Sequence, residues 1–235
     1  MVNKFTYCCL LSLAPFFAYA QEIATTNTFI ACVQDYYGSS SMLVNGRLYN
    51  PTHPLALGSP YFFEDWGTGA IYINGVKYAG QTIKYDLYQD LLVLKKTLAN
   101  GTSAQTTFES NKVDSFSLNQ HLFVSKHLVD GVKAKNGYLE KIGGNHFEYY
   151  HNRTKSFSET ISEKAPQGTY INLPPKLYVK TTDNFETIDN KKKLLTFFST
   201  QKNPIKKFLK SKEINFKKAT PTQLLQLIKF IDDSL

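Results

Sequence analysis

The chain has 235 residues, 42% hydrophobic and 20% charged, which is enough apolar material to bury one sizeable core or two small ones. Its three cysteines are too few for a disulfide framework, and a net charge of +8 directs attention to anionic partners.

Residues 1–20 read as a cleaved secretory signal peptide. Lys4 supplies the positive start, residues 5–17 an apolar stretch broken only by small polar residues, and Ala18-Tyr19-Ala20 small residues at the two positions that a signal peptidase reads. The apolar run is shorter than the roughly 20 residues of a spanning helix, and Pro15 near its end suits a signal rather than an anchor. Cys8 and Cys9 precede most of that run, and Cys32 has no small-residue motif before it, so soluble export is expected rather than a lipid anchor. Cleavage after Ala20 leaves 215 residues from Gln21 and, with Lys4 gone, a net charge of +7. Cys32 is then the only thiol. Between Ala31 and Val33 it reads as a small buried hydrophobe, with an intermolecular disulfide as the alternative. No later segment has the length of a transmembrane helix, which places the product, soluble, in the periplasm or outside the cell.

From there the chain reads as short strands and tight turns. Asn-Gly occurs four times, at Asn45-Gly46, Asn74-Gly75, Asn100-Gly101 and Asn136-Gly137, and accepts positive φ at both centres of a hairpin turn. The flanks of the first two, 42–49 and 71–78, look alike through shared turn chemistry. Thr82, Lys84, Asp86 and Tyr88 then alternate with Ile83, Tyr85 and Leu87, one polar face against one apolar face. Gln89-Asp90 turns the chain, and 91–94 returns as a mostly buried strand. Further short strands are expected at 106–109, 113–118, 121–125, 138–142 and 146–151, with a late pair at 177–180 and 185–188.

After about Asp189 the pattern becomes helical. Asp189 is expected to cap a helix carrying Leu194, Leu195, Phe197 and Phe198, and Asn203-Pro204 to cap and open a second with Ile205, Phe208 and Leu209 on one face. Thr220-Pro221-Thr222-Gln223 is a capping box before a stripe of Leu224, Leu225, Leu227, Ile228 and Ile231. The expected fold class is α+β: an antiparallel β-meander or partial barrel over about 42–188, followed by C-terminal helices over about 189–235, in one domain spanning 21–235.

Charge concentrates late. Residues 176–218 hold twelve lysines and no arginine against Asp183, Glu186, Asp189 and Glu213, a net of +8. Such a segment either binds an anionic surface or an acidic protein partner, or forms the solvated faces of amphipathic helices. Nucleic acid is not expected, because specific recognition leans on arginine forks and interleaved aromatics.

Few residues carry chemistry. Among His53, His121, His127, His146 and His151, no two stand four apart around a glutamate, so no metal pair of that kind is expected. On a strand, His146 and Glu148 share a face, whereas His146 and His151 point to opposite sides. Glu64 and Asp65 beside Trp66, the only tryptophan, can bind a sugar by stacking, or Trp66 can anchor a core edge. Trp66, Glu64, Asp65, His146 and Glu148 are therefore the candidate ligand-binding residues. No Gly-x-Ser-x-Gly elbow or phosphate-cradling glycine loop is present, so no catalytic residue and no cofactor are assigned. Seventeen Phe and fifteen Tyr fill a pleated surface or line a hydrophobic cavity, which sequence cannot separate.

Gly58-Ser-Pro-Tyr-Phe-Phe63 before Trp66, then Asn74-Gly75, Tyr78, Lys84-Tyr-Asp-Leu-Tyr88 and the lysine-rich tail ending in 224–235 form a set. It resembles a family of uncharacterised small exported proteins of Gram-negative bacteria with a β-meander body and a basic helical C-terminus. The resemblance implies that fold and implies no activity. The leading expectation is a non-enzymatic binding or envelope-associated partner protein. The alternatives are a carrier of a hydrophobic ligand in a half-open barrel, and a glycan-active or other hydrolase using paired carboxylates among Glu64, Asp65 and Asp86.

Overall fold

The structure is a computed structural model that describes residues 46–97, 101–174, 176–182 and 184–234. The expected signal, Cys32, Asn45, Asn100 and Asp183 lie outside the described residues. By contact the chain divides into two units, Met1–Asn45 with Thr97–Ser103, and Gly46–Lys96 with Ala104–Leu235. The first lies almost wholly outside the described residues.

The strands run β1 (Arg47–Leu48), β2 (Gly67–Ile73), β3 (Val76–Asp86), β4 (Leu91–Thr97), β5 (Ser103–Thr107), β6 (Ser115–Leu118) and β7 (His121–Ser125). They continue with β8 (Tyr138–Gly143), β9 (Glu148–Asn152), β10 (Lys155–Ser158), β11 (Thr169–Asn172), β12 (Lys176–Lys180) and β13 (Phe185–Ile188). Three α-helices follow among the described residues: α1 (Lys191–Phe197), α2 (Lys202–Ser211) and α3 (Pro221–Asp232). The protein is therefore α+β, a strand meander succeeded by helices.

Eleven strands form one sheet in the order β1-β5-β4-β3-β2-β6-β7-β8-β9-β12-β13, while β10 and β11 pair separately. Two antiparallel meanders thus meet at β2 and β6, and the sheet is open rather than closed into a barrel. Turn chemistry explains the reversals. Asn74 and Gly75 take φ of 50° and 75° between β2 and β3, the paired positive values of a two-residue hairpin. Asn136-Gly137 does not close such a hairpin. It ends the long loop between β7 and β8, where Gly137 has φ of 88° and a Cβ would lie 1.8 Å from Asp90 Oδ2. Asn119-Gln120 makes the β6–β7 turn instead, with φ of 46° and 71° and no glycine.

One face of the sheet is the core. Across seven strands, directly opposed residues run Ile71, Phe116, Phe123, Glu140, His151, Leu177 and Ile188. All seven are buried, and five are apolar. Around β3, β6, β7 and β8, Tyr85, Phe116, Phe123 and Tyr138 pack ring against ring at centroid distances of 4.8 to 5.8 Å. Toward β13 the helices take over: Tyr149, Leu177, Val179 and Ile188 pack on Leu194, Ile205, Leu209, Leu224 and Leu227. A smaller cluster on the other face joins Val129, Val132, Leu139 and Tyr150.

The helix starts differ in part from the sequence expectation. Asn190, not Asp189, caps α1. It stands in extended backbone directly before the first turn, and its Oδ1 accepts from Lys193 N–H at 2.9 Å. Asp189 is one residue too early and pairs with the Lys193 ammonium at 2.8 Å. Asn203 does not cap α2, because a 3-10 turn over Ser199–Gln201 leads straight into a helix beginning at Lys202. Pro204 falls in its first turn, where an N–H has no intrahelical partner to lose. The Thr220 capping box forms as read, with reciprocal bonds of 2.9 and 3.3 Å to Gln223. Leu225 leaves the apolar stripe and faces solvent. No helix among the described residues is long and apolar enough to cross a membrane.

Candidate functional site

The sequence candidates are dispersed. Trp66 is half-buried before β2, with Lys84 Nζ 5.2 Å and Lys95 Nζ 5.6 Å from its ring centroid, so two ammonium groups already address it. Glu64 and Asp65 are exposed beside it. Burial pushes the Lys84 ammonium below its ordinary pKa, and these two carboxylates pull it back up. Asp86, expected on the wet face, is buried instead. Its carboxylate accepts from Tyr49 hydroxyl at 2.6 Å, from Tyr88 and Gln89 N–H at 2.8 Å each, and from Gln89 Nε2 at 3.1 Å. Those donors make Asp86 the keystone of the β3–β4 turn, with its oxygens occupied.

His146 and Glu148 do not share a strand face. His146 is exposed in the β8–β9 turn, ahead of the strand, and its N–H donates to Asp232 Oδ1 at 3.1 Å. Glu148 opens β9, where Lys141 Nζ and Tyr150 hydroxyl donate to it at 2.5 and 2.9 Å. The Lys141 bond is the main reason its carboxyl titrates below the usual range.

The polar centre of the molecule lies elsewhere. Glu140 and His151 interrupt the apolar row described above, their side chains 6% and 0% exposed. Glu140 Oε2 accepts from the Arg153 Nε–H, and Oε1 accepts from His121 Nδ1 at 2.5 Å. His151 Nδ1 stands 3.6 Å from Oε2, beyond hydrogen-bond reach, and neither ring nitrogen has a hydrogen-bond partner among the described residues. Burial pushes the Glu140 carboxyl up, but His151, Arg153 and His121 together outweigh it and hold the group at about 2. The carboxylate is thus an acceptor only, which fixes the proton of His121 on Nδ1. Burial pushes His151 below the ordinary imidazole value, against the pull of Glu140.

Backbone pairing explains this convergence. Glu140 opposes both Phe123 and His151 across neighbouring strands, and His121 is two residues from Phe123 on the same face. Over the cluster lies the Tyr61–Phe62–Phe63 segment, pinned to the end of β3 by Phe62 N–H to Tyr85 carbonyl at 2.8 Å. Phe62 meets His121 edge-on at 4.9 Å and carries the Arg153 guanidinium at 5.1 Å. One sequence signal marks the cluster: Glu140 alternates with Tyr138 and Ile142, an acid on an apolar face. Among the described residues no group of three His, Cys, Asp or Glu is arranged to hold a metal ion.

A second feature is the lysine face. Lys202, Lys206 and Lys210 repeat every four residues along α2, and Lys191, Lys192 and Lys193 crowd the first turn of α1, where no acid stands. All six are exposed. Lys191, Lys206, Lys210 and Lys217 rim a groove of about 740 Å³ floored by Leu209 and Phe216. Among the described residues only Lys193 of these lysines has an ion-pair partner.

Comparison with protein-family models, with curated proteins and with solved structures gives no match to this chain.

Proposed function

We propose that the protein is an exported binding protein of the bacterial envelope, held at anionic lipid surfaces by the lysine face of α1 and α2. The observation that carries this reading is the single-sign stripe. Like charges four apart on a helix cost about 0.2–0.5 kcal/mol per pair, and cations at a helix N-terminus oppose its dipole. A merely solvated face is served as well by mixed charges, without these costs. An anionic surface turns them into attraction worth about 1 kcal/mol per lysine near the membrane. The absence of arginine from residues 176–218 favours lipid phosphate over nucleic acid as the anion. Export rests on Lys4, the apolar run and Ala18-Tyr19-Ala20. The resemblance to small exported proteins of Gram-negative bacteria supports export.

The test is co-sedimentation with vesicles. Binding is expected to vesicles of phosphatidylglycerol and phosphatidylcholine but not to phosphatidylcholine alone. It should weaken as salt shortens the screening length from about 10 Å at 0.1 M to about 3 Å at 1 M. Lys206→Glu with Lys210→Glu reverses two charges of the stripe and is expected to abolish sedimentation while the circular dichroism spectrum is unchanged. Equal sedimentation with neutral and anionic vesicles overturns the docking.

A further inference from the structure

Arg153 is held as few surface arginines are. Its side chain is 13% exposed, its Nε–H is bonded to buried Glu140, and its guanidinium rests on Phe62. An arginine has five N–H donors, and Glu140 takes the one on Nε. The other four sit on the two Nη atoms, in a fork matched to a carboxylate or a phosphate. Arg153 lines a cleft of about 580 Å³ that it shares with Lys155, Lys218, Tyr61, Phe62 and Leu173. That volume falls in the range of small-ligand sites.

The charge of the cleft is lopsided. Arg153, Lys155 and Lys218 stand against Glu64, which lines the cleft and is exposed, and Glu140, which pairs with Arg153 from behind, so one positive charge is left in excess. Lys155 is tethered by donation from Nζ to the Ser59 carbonyl at 2.6 Å, so its position is fixed too. Burial pushes its ammonium below the ordinary value, against the pull of Glu64 and Asp86. Tyr61 and Phe62 supply ring surfaces, while Leu173 and Pro174 add an apolar wall.

We infer that this cleft binds a small organic anion, with its carboxylate or phosphate on Arg153, Lys155 and Lys218 and a flat or apolar body against Tyr61, Phe62 and Leu173. Glu140 is a positioning residue: it locks the guanidinium without touching the ligand. The site is separate from the lysine face on α1 and α2, so either proposal can fail alone.

The test is calorimetric titration of the purified chain with 3-phenylpropanoate, phenyl phosphate and the uncharged 3-phenylpropanol. At least one anion is expected to bind, with the alcohol about tenfold weaker or more, since losing a charge-assisted bond costs about 1.5–3 kcal/mol. Preference for one anion identifies the head group, carboxylate or phosphate. Arg153→Lys keeps the charge, removes the fork and is expected to weaken binding further than Lys218→Gln. Should Arg153→Lys fail to fold, Lys218→Gln decides. Lys218 is exposed, and its removal is expected to weaken binding about two- to fivefold with Tm unchanged. The inference is overturned if neither anion binds, if the alcohol binds as well as the acids, or if Lys218→Gln leaves the affinity unaltered.

Discussion

Glu140 and His151 oppose each other in a row where every other member is apolar, and their protonation is linked to stability. The Glu140 carboxyl lies at about 2 against an ordinary 4.5. A depressed folded-state value contributes stability above the unfolded value and loses it as pH falls through the folded one. At about 1.4 kcal/mol per unit, that is on the order of 3 kcal/mol, present above pH ~4.5 and lost toward pH ~2. His151, also depressed, acts in the same sense, its contribution declining as pH falls below the ordinary imidazole value. Glu140→Gln is expected to destabilise by roughly 2–4 kcal/mol at pH 7, because Arg153 loses its counter-charge in a buried site. Urea unfolding of both proteins from pH 7 to pH 3 checks this. The gap should narrow on the acid side, and a gap independent of pH would refute the linkage. At this scale the sequence was only partly readable. The acid among Tyr138 and Ile142 was visible, whereas its three partners come from β7, β9 and the link after β9, and only strand pairing assembles them.

At the scale of elements, local chemistry decided most of what could be read. Asn74-Gly75 and the Thr220 box form as their residues demand, because their bonds lie within four residues. Thr220→Ala removes one side of the box and is expected to cost about 1 kcal/mol, read as a lowered Tm. An unchanged Tm would mean that packing alone holds the start of α3. Elsewhere context overrode local pattern. Asn136-Gly137 has the hairpin dipeptide, but Gly137 serves close approach to Asp90. Asn119-Gln120 lacks glycine and still turns, since β6 and β7 hold it from both sides. Asp86 reads as the polar half of an alternation, yet the turn after β3 folds back and buries it.

At the scale of the whole molecule, the helices complete a core that the sheet begins. Leu227 is fully buried among residues from α1, α2 and β12. Leu227→Ala is expected to destabilise by about 2–5 kcal/mol, through lost transfer energy and the cavity left behind. Chemical denaturation should show one cooperative transition with a lower midpoint. A separate early loss of helix, with the sheet signal unmoved, would show that the helices are not integral to the core.

The sequence by itself determined the α+β class, the order of strands before helices, and the sites of the Asn74 turn and the α3 cap. These follow from period-two alternation, helical stripes and side-chain bonds that close within a few residues. It also located the lysine concentration, since charge is a property of composition. Tertiary structure alone decided that two meanders join at β2 and β6, because strand order depends on pairing between segments distant in the chain. It alone placed Glu140, His121, His151 and Arg153 together. Apart from the acid on the apolar face of β8, nothing local marks them, and the contacts that make them a cluster run across the sheet rather than along the chain.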